Sequence, residues 1–401
     1  MRIATGWSTL ADAERAAAEA FDMVVQRLQV APDLLLVHAS CELDTHALLG
    51  HLASRAPNAQ IQGGTSCMGV LTGDGVHTQD GVGMGLLGLT DADGGYGVGL
   101  ASIGDDPDTA AVTALEEALA RAERPGEVPE VVLISSSPGH EDQMIRAIES
   151  HIGGNVPIIG GTCADNDMSG KWRVFAGDQV AAEGVSVATL FPTAEIGYSF
   201  HSGYEPTEYR GRVTRAEGRV LYEIDGQPAA RVYDEWSGGV AADCLSVGGS
   251  LVPAASLTPL GNPVGQISGV PYYRLSYPVE VVENDALLLF TEIREGTETV
   301  MMRGSRNSLA TRAGRVAAAA VSAAPFGAEE VQGALMLFCA GCMLVVQDRL
   351  EQSAEGVRAS LGDAPFLTAF TLGEQGCFIG GENRHANLMI ASLVFGPIKE
   401  E

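Results

Sequence analysis

The sequence predicts an α/β protein with mixed sheets, built from duplicated strand-helix-strand-hairpin units, with helices on the outer faces and two domains. Gly-Gly-Thr occurs at residues 63–65 and again at 160–162. The apolar run "PDLLLVHAS" precedes the first copy and "PEVVLISSS" precedes the second, at the same offset of 97 residues. Two matches at one offset indicate duplication, and the order of elements excludes a TIM barrel and an all-parallel sheet.

The N-terminal domain is predicted to cover residues 1–205 and to contain the two copies, at about 30–105 and 127–200. Each copy has an apolar run of strand length, then apolar residues at helical spacing, then a short strand that ends in Gly-Gly-Thr. Antiparallel hairpins follow, "GVGMGLLGL" with "YGVGLASIG" in the first copy and "WRVFAGDQVAAEGVSVATLF" in the second. An alanine-rich amphipathic helix over 109–124 links the copies.

The C-terminal domain is predicted to cover residues 206–401, because arginines concentrate just after residue 205. Its first elements are a turn at Asp225-Gly226 and a short helix that begins at Pro228 and ends near Trp236. Residues 247–278 are rich in Gly, Pro and Ser and are expected to form long loops. "ALLLFTEI" and "TVMMRG" are then expected to pair as strands. The last ninety or so residues have the strand and helix order of a third, diverged copy.

Composition limits the classes of partner. The chain carries 24 Lys and Arg against 51 Asp and Glu, a formal charge of -27. Such a field repels nucleic acid and anionic lipid surfaces, so neither is expected as a partner. The N-terminus lacks the apolar region of a signal peptide, and no apolar stretch approaches about 18 residues. The expected location is the cytoplasm, where the seven cysteines would be reduced thiols.

The two Gly-Gly-Thr turns are candidate binding elements. Glycines at a strand end expose backbone N–H groups that a carboxylate can approach closely. Two equivalent turns are expected to face one another across a cleft. The alternative is that the glycines only permit a tight exit from the strand and that Thr65 and Thr162 bond to nearby backbone groups.

Catalytic and metal motifs are sparse. "FCAGC" contains one Cys-x-x-Cys, which suits a redox dithiol or half of a metal site, but the sequence has no second such pair. The histidines lack metal-ligand spacing, and the serines at 135–137 lack a nucleophile elbow. The remaining catalytic hypothesis is an enzyme with a cysteine nucleophile, Cys67 or Cys163, activated by backbone N–H groups.

In their order, "GGTCADND", "EGRVLYEIDGQPAARVYDEW", "EIREGTETVMMRG", "MLFCAGC" and "TLGEQG" resemble the FIST proteins, over residues 30–395. The resemblance implies an N-terminal and a C-terminal FIST domain that form a cytoplasmic, non-catalytic sensory module of signal transduction. It implies a small-molecule ligand, with amino acids as the proposed class, and a histidine kinase or a cyclic-di-GMP enzyme as signalling partner. One branch of the family is similar to haem-binding nitric oxide sensors.

The resemblance also implies a set of ligand-facing residues. Cys342 stands where many members have an arginine, so a guanidinium that would clamp a carboxylate is missing there. Asp165 and Glu374 are expected to fix an ammonium or a ring N–H of the ligand. The full set is Gly63, Gly64, Thr65, Ser66, Cys67, Gly160, Gly161, Thr162, Cys163, Asp165, Cys339, Gly373 and Glu374.

If the chain belongs to the haem-binding branch, His201 is the predicted axial ligand. It follows the aromatic-rich run "IGYSF" near the predicted domain boundary, where a change at iron could reach the domain interface. The alternative is a turn histidine that hydrogen-bonds near Ser202 and holds no iron. In that case no cofactor is expected.

Overall fold

The structure is a computed structural model that describes residues 1–267, 270–378 and 380–399. Its strands form three six-stranded sheets and one nine-stranded sheet. The six-stranded sheets are each based on one sequence unit, and the nine-stranded sheet is an insertion in the third unit. The mixed α/β class predicted from the sequence is confirmed.

Units 1 and 2 have the same order of elements. Unit 1 consists of β1 (Arg2–Ser8), α1 (Ala13–Leu28), β2 (Leu34–Ala39), α2 (Thr45–Arg55), β3 (Gln60–Thr65), β4 (Val70–Thr72), β5 (Gly75–His77) and β6 (Met84–Thr90). Unit 2 consists of β7 (Gly95–Ser102), α3 (Pro107–Arg121), β8 (Val131–Ser136), α4 (Glu141–Ile152), β9 (Ile158–Thr162), β10 (Val174–Ala176), β11 (Gln179–Ala181) and β12 (Gly184–Phe191).

Unit 3 begins with β13 (Ala194–Ser202) and is interrupted by the insertion. The insertion consists of β14 (Glu205–Glu217), β15 (Val220–Ile224), β16 (Gln227–Pro228), α5 (Ala229–Ser237), β17 (Gly249–Ser250), β18 (Leu260–Ile267), β19 (Val270–Ser276), β20 (Pro278–Val282), β21 (Ala286–Leu289) and β22 (Glu298–Arg303). Unit 3 resumes with α6 (Arg306–Ala323), β23 (Gly333–Cys339), α7 (Ala340–Val345), α8 (Leu350–Leu361), β24 (Phe366–Thr371), β25 (Glu374–Phe378), β26 (Glu382–Ala386) and β27 (Met389–Ile398).

Local sequence explains the helix ends and the buried strands. Asp12 caps α1 by accepting a hydrogen bond from the Arg15 N–H, and Asp106 caps α3 immediately before Pro107. Every residue of β2 and of β8 is buried. These strands are therefore covered on both faces, which is why they are apolar without polar alternation.

The core has two kinds of layer. In β2, Leu35 and Val37 pack beneath the helices of unit 1, whereas Leu34 and Leu36 point to the opposite face and join a central core. In β8, Val132 and Ile134 pack under the helices of unit 2 in the same way. Alternate side chains of each strand thus pack against the outer helices on one face of the sheet and against the neighbouring sheets on the opposite face.

The three six-stranded sheets share one topology. In each, the second and third long strands of the unit are parallel neighbours (β2 with β3, β8 with β9, β23 with β24). The first and last strands of the unit complete four strands of the sheet. The remaining two strands are a hairpin that comes from a different unit.

These hairpins connect the units in a closed ring. The β4–β5 hairpin of unit 1 pairs with β24 of unit 3. The β10–β11 hairpin of unit 2 pairs with β3 of unit 1, and the β25–β26 hairpin of unit 3 pairs with β9 of unit 2. The hairpin predicted between β6 and β7 was wrong, because these two strands lie in different sheets. The hairpin predicted within 172–191 is present as β10–β11, whereas β12 lies in another sheet.

The insertion is a sheet where long loops were expected over much of residues 247–278. The predicted strand pair was also wrong: β21 lies between β15 and β20, and β22 lies between β14 and β18. The helix expected at Pro228 is α5, with Pro228 at its N-cap. The insertion contacts α4 through the ion pair of Arg219 with the buried Glu141, at 2.6 Å.

Candidate functional site

The ends of the three parallel strands β3, β9 and β24 meet at the centre of the ring. Each chain segment just beyond a strand end donates one backbone hydrogen bond to the last residues of another strand. These bonds run from Cys67 N to Phe370 O (3.0 Å), from Ala164 N to Thr65 O (2.9 Å) and from Leu372 N to Thr162 O (3.0 Å). The three strand ends therefore form a closed cycle of hydrogen bonds, which we call the central junction.

Both Gly-Gly-Thr turns belong to the central junction, and they lie in direct contact. A Cβ added to Gly64 would lie 2.2 Å from Cys163 Sγ and 2.9 Å from the Arg173 carbonyl oxygen. A Cβ added to Gly161 would lie 2.3 Å from the Thr371 methyl carbon. The expectation of a cleft between the turns was therefore wrong: the glycines are needed because backbone and side chains of other units pack against them.

The hydroxyl groups near the turns bond to protein atoms. Thr65 Oγ1 accepts a hydrogen bond from the Arg173 N–H at 2.9 Å. The Thr162 hydroxyl donates to the buried Glu141 carboxylate at 3.0 Å and accepts from Gln375 at 3.0 Å. Ser66 Oγ accepts from the Phe370 N–H at 2.8 Å. These contacts match the alternative in which the threonines satisfy neighbouring polar groups.

A cavity of about 400 Å³ lies beside the central junction, and three of the predicted residues line it: Cys67, Asp165 and Cys339. Units 1, 2 and 3 and the insertion all contribute to its wall. The other lining residues are Asn166, Met168, Val252, Pro253, Ala254, Ser256, Leu257, Tyr277, Phe290, Ala340, Gly341, Leu344, Val345 and Leu372. We call this space the central cavity.

The two predicted recognition acids have structural contacts. The Asp165 carboxylate accepts hydrogen bonds from the backbone N–H groups of Met168, Gly170 and Lys171, at 2.6 to 2.8 Å. It thereby fixes the loop that follows the second turn. Glu374 is completely buried and does not line the central cavity; it accepts hydrogen bonds from the Thr371 hydroxyl and the Met389 N–H. Burial and the neighbouring Cys339 thiol hold the pKa of Glu374 well above its usual range.

The remaining predicted residues contact neighbouring strands. Gly160 pairs with Gln375, and a Cβ on it would lie 1.9 Å from the Ile134 carbonyl oxygen. A Cβ on Gly63 would lie as close to the Val37 carbonyl oxygen. Ligand binding by these residues stays a prediction, and their close contacts give them a packing role.

Sequence comparison assigns the chain to a family. The family model of the FIST N domain matches residues 33–227, and that of the FIST C domain matches residues 229–377. The chain belongs to the FIST family. FIST domains are small-ligand sensory domains of signal transduction.

A curated relative of this FIST protein is an uncharacterized protein of Methanocaldococcus jannaschii, which is 38% identical over 80 residues. The match covers 20% of this chain and 16% of that protein. Within residues 1–267, 270–378 and 380–399, no helix is long and apolar enough to cross a membrane. The same residues contain no group of three or more His, Cys, Asp or Glu side chains placed to hold a metal ion.

The two candidate nucleophiles of this FIST protein, Cys67 and Cys163, lack the features of reactive thiols. Burial raises the pKa of Cys67 to about 12 and that of Cys163 to about 12. The Cys339 pKa is also raised well above its usual value, through a hydrogen bond with Cys342 and burial. A reactive cysteine requires a lowered pKa and some exposure, so this geometry argues against the cysteine-nucleophile hypothesis.

Alkylation tests this conclusion. We expect iodoacetamide at pH 8 to modify Cys41 and Cys244, which are partly exposed, well before the buried Cys67 and Cys163. Peptide mass mapping over a time course measures the order. If Cys67 or Cys163 reacts first, an activated thiol exists and the catalytic hypothesis regains support.

Sequence reasoning missed the part of the central cavity wall that comes from the insertion and from α7. Tyr277 and Phe290 lie in the insertion: Tyr277 is within the segment that was expected to form loops, and Phe290 is within the predicted strand "ALLLFTEI". The tyrosine hydroxyl bonds to Ser256 Oγ at 2.9 Å. The one available signal was the apolar run "SLVPAASL", which is unusual for a solvent-exposed loop.

His201 lies outside the central cavity. It is at the end of β13 and borders a second cavity of about 430 Å³. Burial and the nearby Arg312 lower the pKa of His201 to about 4, so the imidazole is neutral at pH 7. A neutral imidazole is the form that ligates iron, which fits the predicted axial ligand. Haem binding itself stays a prediction.

Proposed function

We propose that this FIST protein is a non-catalytic sensor whose small ligand occupies the central cavity. The observation that carries the proposal is that unit 1, unit 2, unit 3 and the insertion all contribute to one cavity wall. A volume of about 400 Å³ is within the usual range for small-molecule sites. A ligand there would contact all four parts of the fold at once, and a ligand shifts a conformational equilibrium when it binds one arrangement of such parts more tightly than another.

The lining indicates an uncharged ligand. Among the described residues that line the cavity, none is Lys, Arg or His, and Asp165 already accepts three backbone hydrogen bonds. Asn166 likewise bonds to backbone atoms, accepting from the Met68 N–H at 2.6 Å and donating to the Gly81 carbonyl oxygen at 3.1 Å. A buried ligand carboxylate would have no cationic partner, at a large cost in free energy.

The ligand that this site fits best therefore has an apolar body and few hydrogen-bonding groups. The apolar body would contact Phe290, Leu257 and Leu372. The bonded hydroxyl pair of Ser256 and Tyr277 is the polar feature that could orient it. Amino acids, the class implied by the resemblance, carry a carboxylate, so an amino-acid ligand would need its charge outside this cavity.

Two exposed apolar side chains mark the opening of the cavity. Met168 and Leu344 are each 46% exposed although both line it. Large apolar residues at this exposure on one rim are typical of a ligand entrance. Leu344 lies on α7 of unit 3, whereas Met168 lies in the loop that Asp165 fixes.

Blocking the entrance tests the proposal. In a thermal-shift screen of uncharged apolar metabolites, a ligand at a hundred times its dissociation constant is expected to stabilise the wild type by about 2.7 kcal/mol. Leu344→Trp should remove this shift, because the indole fills the opening. Val128→Trp is the matched control, since Val128 is exposed in a loop away from the cavity. Equal shifts in both variants would place the ligand elsewhere, and no shift with any compound would count against the sensor.

The signalling partner is also a proposal. The resemblance implies a histidine kinase or a cyclic-di-GMP enzyme, which would respond to the ligand-bound form of this chain. Support comes from the family assignment, since FIST domains are sensory domains of signal transduction. No nucleic acid or membrane partner is proposed, because the charge of -27 repels both.

A further inference from the structure

The second cavity, of about 430 Å³, lies where β13, the insertion and α6 meet. Tyr204 borders it, and the hydroxyl of this tyrosine donates a hydrogen bond to the Ser256 carbonyl oxygen at 2.6 Å. Ser256 lines the central cavity, so Tyr204 lies between the two spaces. The two cavities have no lining residue in common among the described residues.

Two arginines of α6, Arg312 and Arg315, line the second cavity without a carboxylate partner. Among the described residues, no Asp or Glu oxygen lies within 4.0 Å of either guanidinium, although most ion pairs of this chain use arginine. Arg315 donates to Ser308 O at 3.3 Å and to Thr311 Oγ1 at 3.1 Å. Glu205 is the one carboxylate in the lining, and it is exposed.

Arg312 is the more unusual of the two. Its Nε atom is buried and has no hydrogen-bond partner in the described part of the chain. Burial and the nearby Arg315 lower the pKa of Arg312 to about 10. A buried guanidinium N–H without an acceptor is destabilising by itself, in a protein with more than twice as many acidic as basic side chains. An external acceptor would remove that cost.

The cavity also has apolar and aromatic lining residues. They include Pro206, Tyr273, Phe378 and Met389. Phe378 also packs against Phe200, with ring centroids 5.0 Å apart. A ligand held here would have both aromatic side chains and guanidinium groups to contact.

We propose that the second cavity binds an organic carboxylate, with the carboxylate on Arg312 and Arg315 and the apolar body against Tyr273, Phe378 and Met389. Arginine suits this role because its planar guanidinium donates paired hydrogen bonds to a carboxylate. His201 borders the same space as a neutral imidazole and adds a polar group without a competing negative charge. The site is separate from the central cavity and does not depend on the function proposed for it.

Isothermal titration calorimetry with benzoate, acetate and benzamide tests this assignment. We expect benzoate to bind, acetate to bind more weakly because it lacks the ring, and benzamide not to bind because it lacks the charge. Arg312→Gln should weaken benzoate binding at least about tenfold, because a charge-assisted bidentate pair is lost. Arg2→Gln, at an exposed position in β1, should leave it unchanged.

Equal binding of benzoate and benzamide, or unchanged benzoate affinity in Arg312→Gln, would overturn the proposal. If Arg312→Gln does not fold by circular dichroism, Arg315→Gln decides the question, because that exposed side chain bonds only to its own helix. It should weaken benzoate binding, and an unchanged affinity would refute the site. Leu344→Trp should leave benzoate binding intact, which separates this site from the central cavity.

Discussion

Replacing Gly64 with alanine is expected to destabilise the protein by about 3 kcal/mol or more. The new methyl group would lie 2.2 Å from Cys163 Sγ and 2.9 Å from the Arg173 carbonyl oxygen, both from unit 2. Neither can retreat easily, because both atoms are part of the packed central junction. Overpacking in a core costs about 1–3 kcal/mol and sometimes more. Urea unfolding followed by circular dichroism measures the change.

A second substitution tests the cause. Cys163→Ala removes the sulfur atom that the new methyl group would meet, so we expect the double variant to be more stable than Gly64→Ala alone. Gly50→Ala is the matched control: Gly50 lies in α2 with no atom within 4 Å of the added Cβ. Alanine there should stabilise the protein by about 0.5–1 kcal/mol. If the effects of Gly64→Ala and Cys163→Ala simply add, the two turns are not in contact.

Most secondary elements could be predicted from local sequence. β2 and β8 each begin with four apolar residues, and α3 begins close to the predicted residue because Asp106 and Pro107 are strong start signals. The parallel pairing of the two strands that flank a helix could also be predicted, because a connecting helix lets neighbouring strands run in the same direction. The mixed α/β class depends on these features alone.

The exchange of hairpins between units could not be predicted. Gly177 and Asp178 specify the turn between β10 and β11, and the structure has that hairpin. No local feature of β10 indicates that it pairs with β3, about 110 residues earlier in the chain. Sequential strands usually pair with one another, so the expected partner was a neighbour in sequence. Which sheet edge a hairpin joins depends on the packing of all three units.

The candidate site could be predicted only in part, because its wall also depends on how the units pack together. Cys67 and Asp165 lie just beyond the ends of β3 and β9, which meet at the central junction, and Cys339 ends β23, the parallel neighbour of β24. The glycines of the two turns lie earlier in β3 and β9, where backbone and side chains of the same unit and of other units pack against them. Tyr277 went unrecognised because it lies in the Gly-, Pro- and Ser-rich stretch 247–278, a pattern that resembles loops. Phe290 lies in the predicted strand "ALLLFTEI", where no local feature indicated that it would face a cavity.

Glu374→Gln is expected to change how stability depends on pH. The carboxyl group is completely buried, and burial together with the Cys339 thiol raises its pKa well above the usual value. The folded chain therefore keeps this proton to a higher pH than the unfolded chain, in which a glutamate titrates near about 4.3. Because the folded state binds more protons, the free energy of unfolding falls as pH rises above that value.

The slope contributed by one such proton is about 1.4 kcal/mol per pH unit, until pH reaches the pKa of the folded state. As pH rises above about 5, the wild type should therefore lose stability relative to Glu374→Gln, in which the side chain does not titrate. The amide keeps an oxygen that can accept from the Thr371 hydroxyl or the Met389 N–H. Urea unfolding at several pH values measures the difference between the two curves.

Glu355→Gln is the control for this experiment, because Glu355 is exposed on α8. The plot of its free energy of unfolding against pH is expected to run parallel to that of the wild type. If the Glu374→Gln curve also runs parallel, Glu374 has an ordinary pKa and a source of compensating positive charge must lie beside it. If the wild type instead gains stability relative to Glu374→Gln as pH rises, the buried carboxylate is stabilised in its ionised form. The Thr371 hydroxyl and the Met389 N–H would then outweigh burial, and the central junction would hold a negative charge next to Cys339.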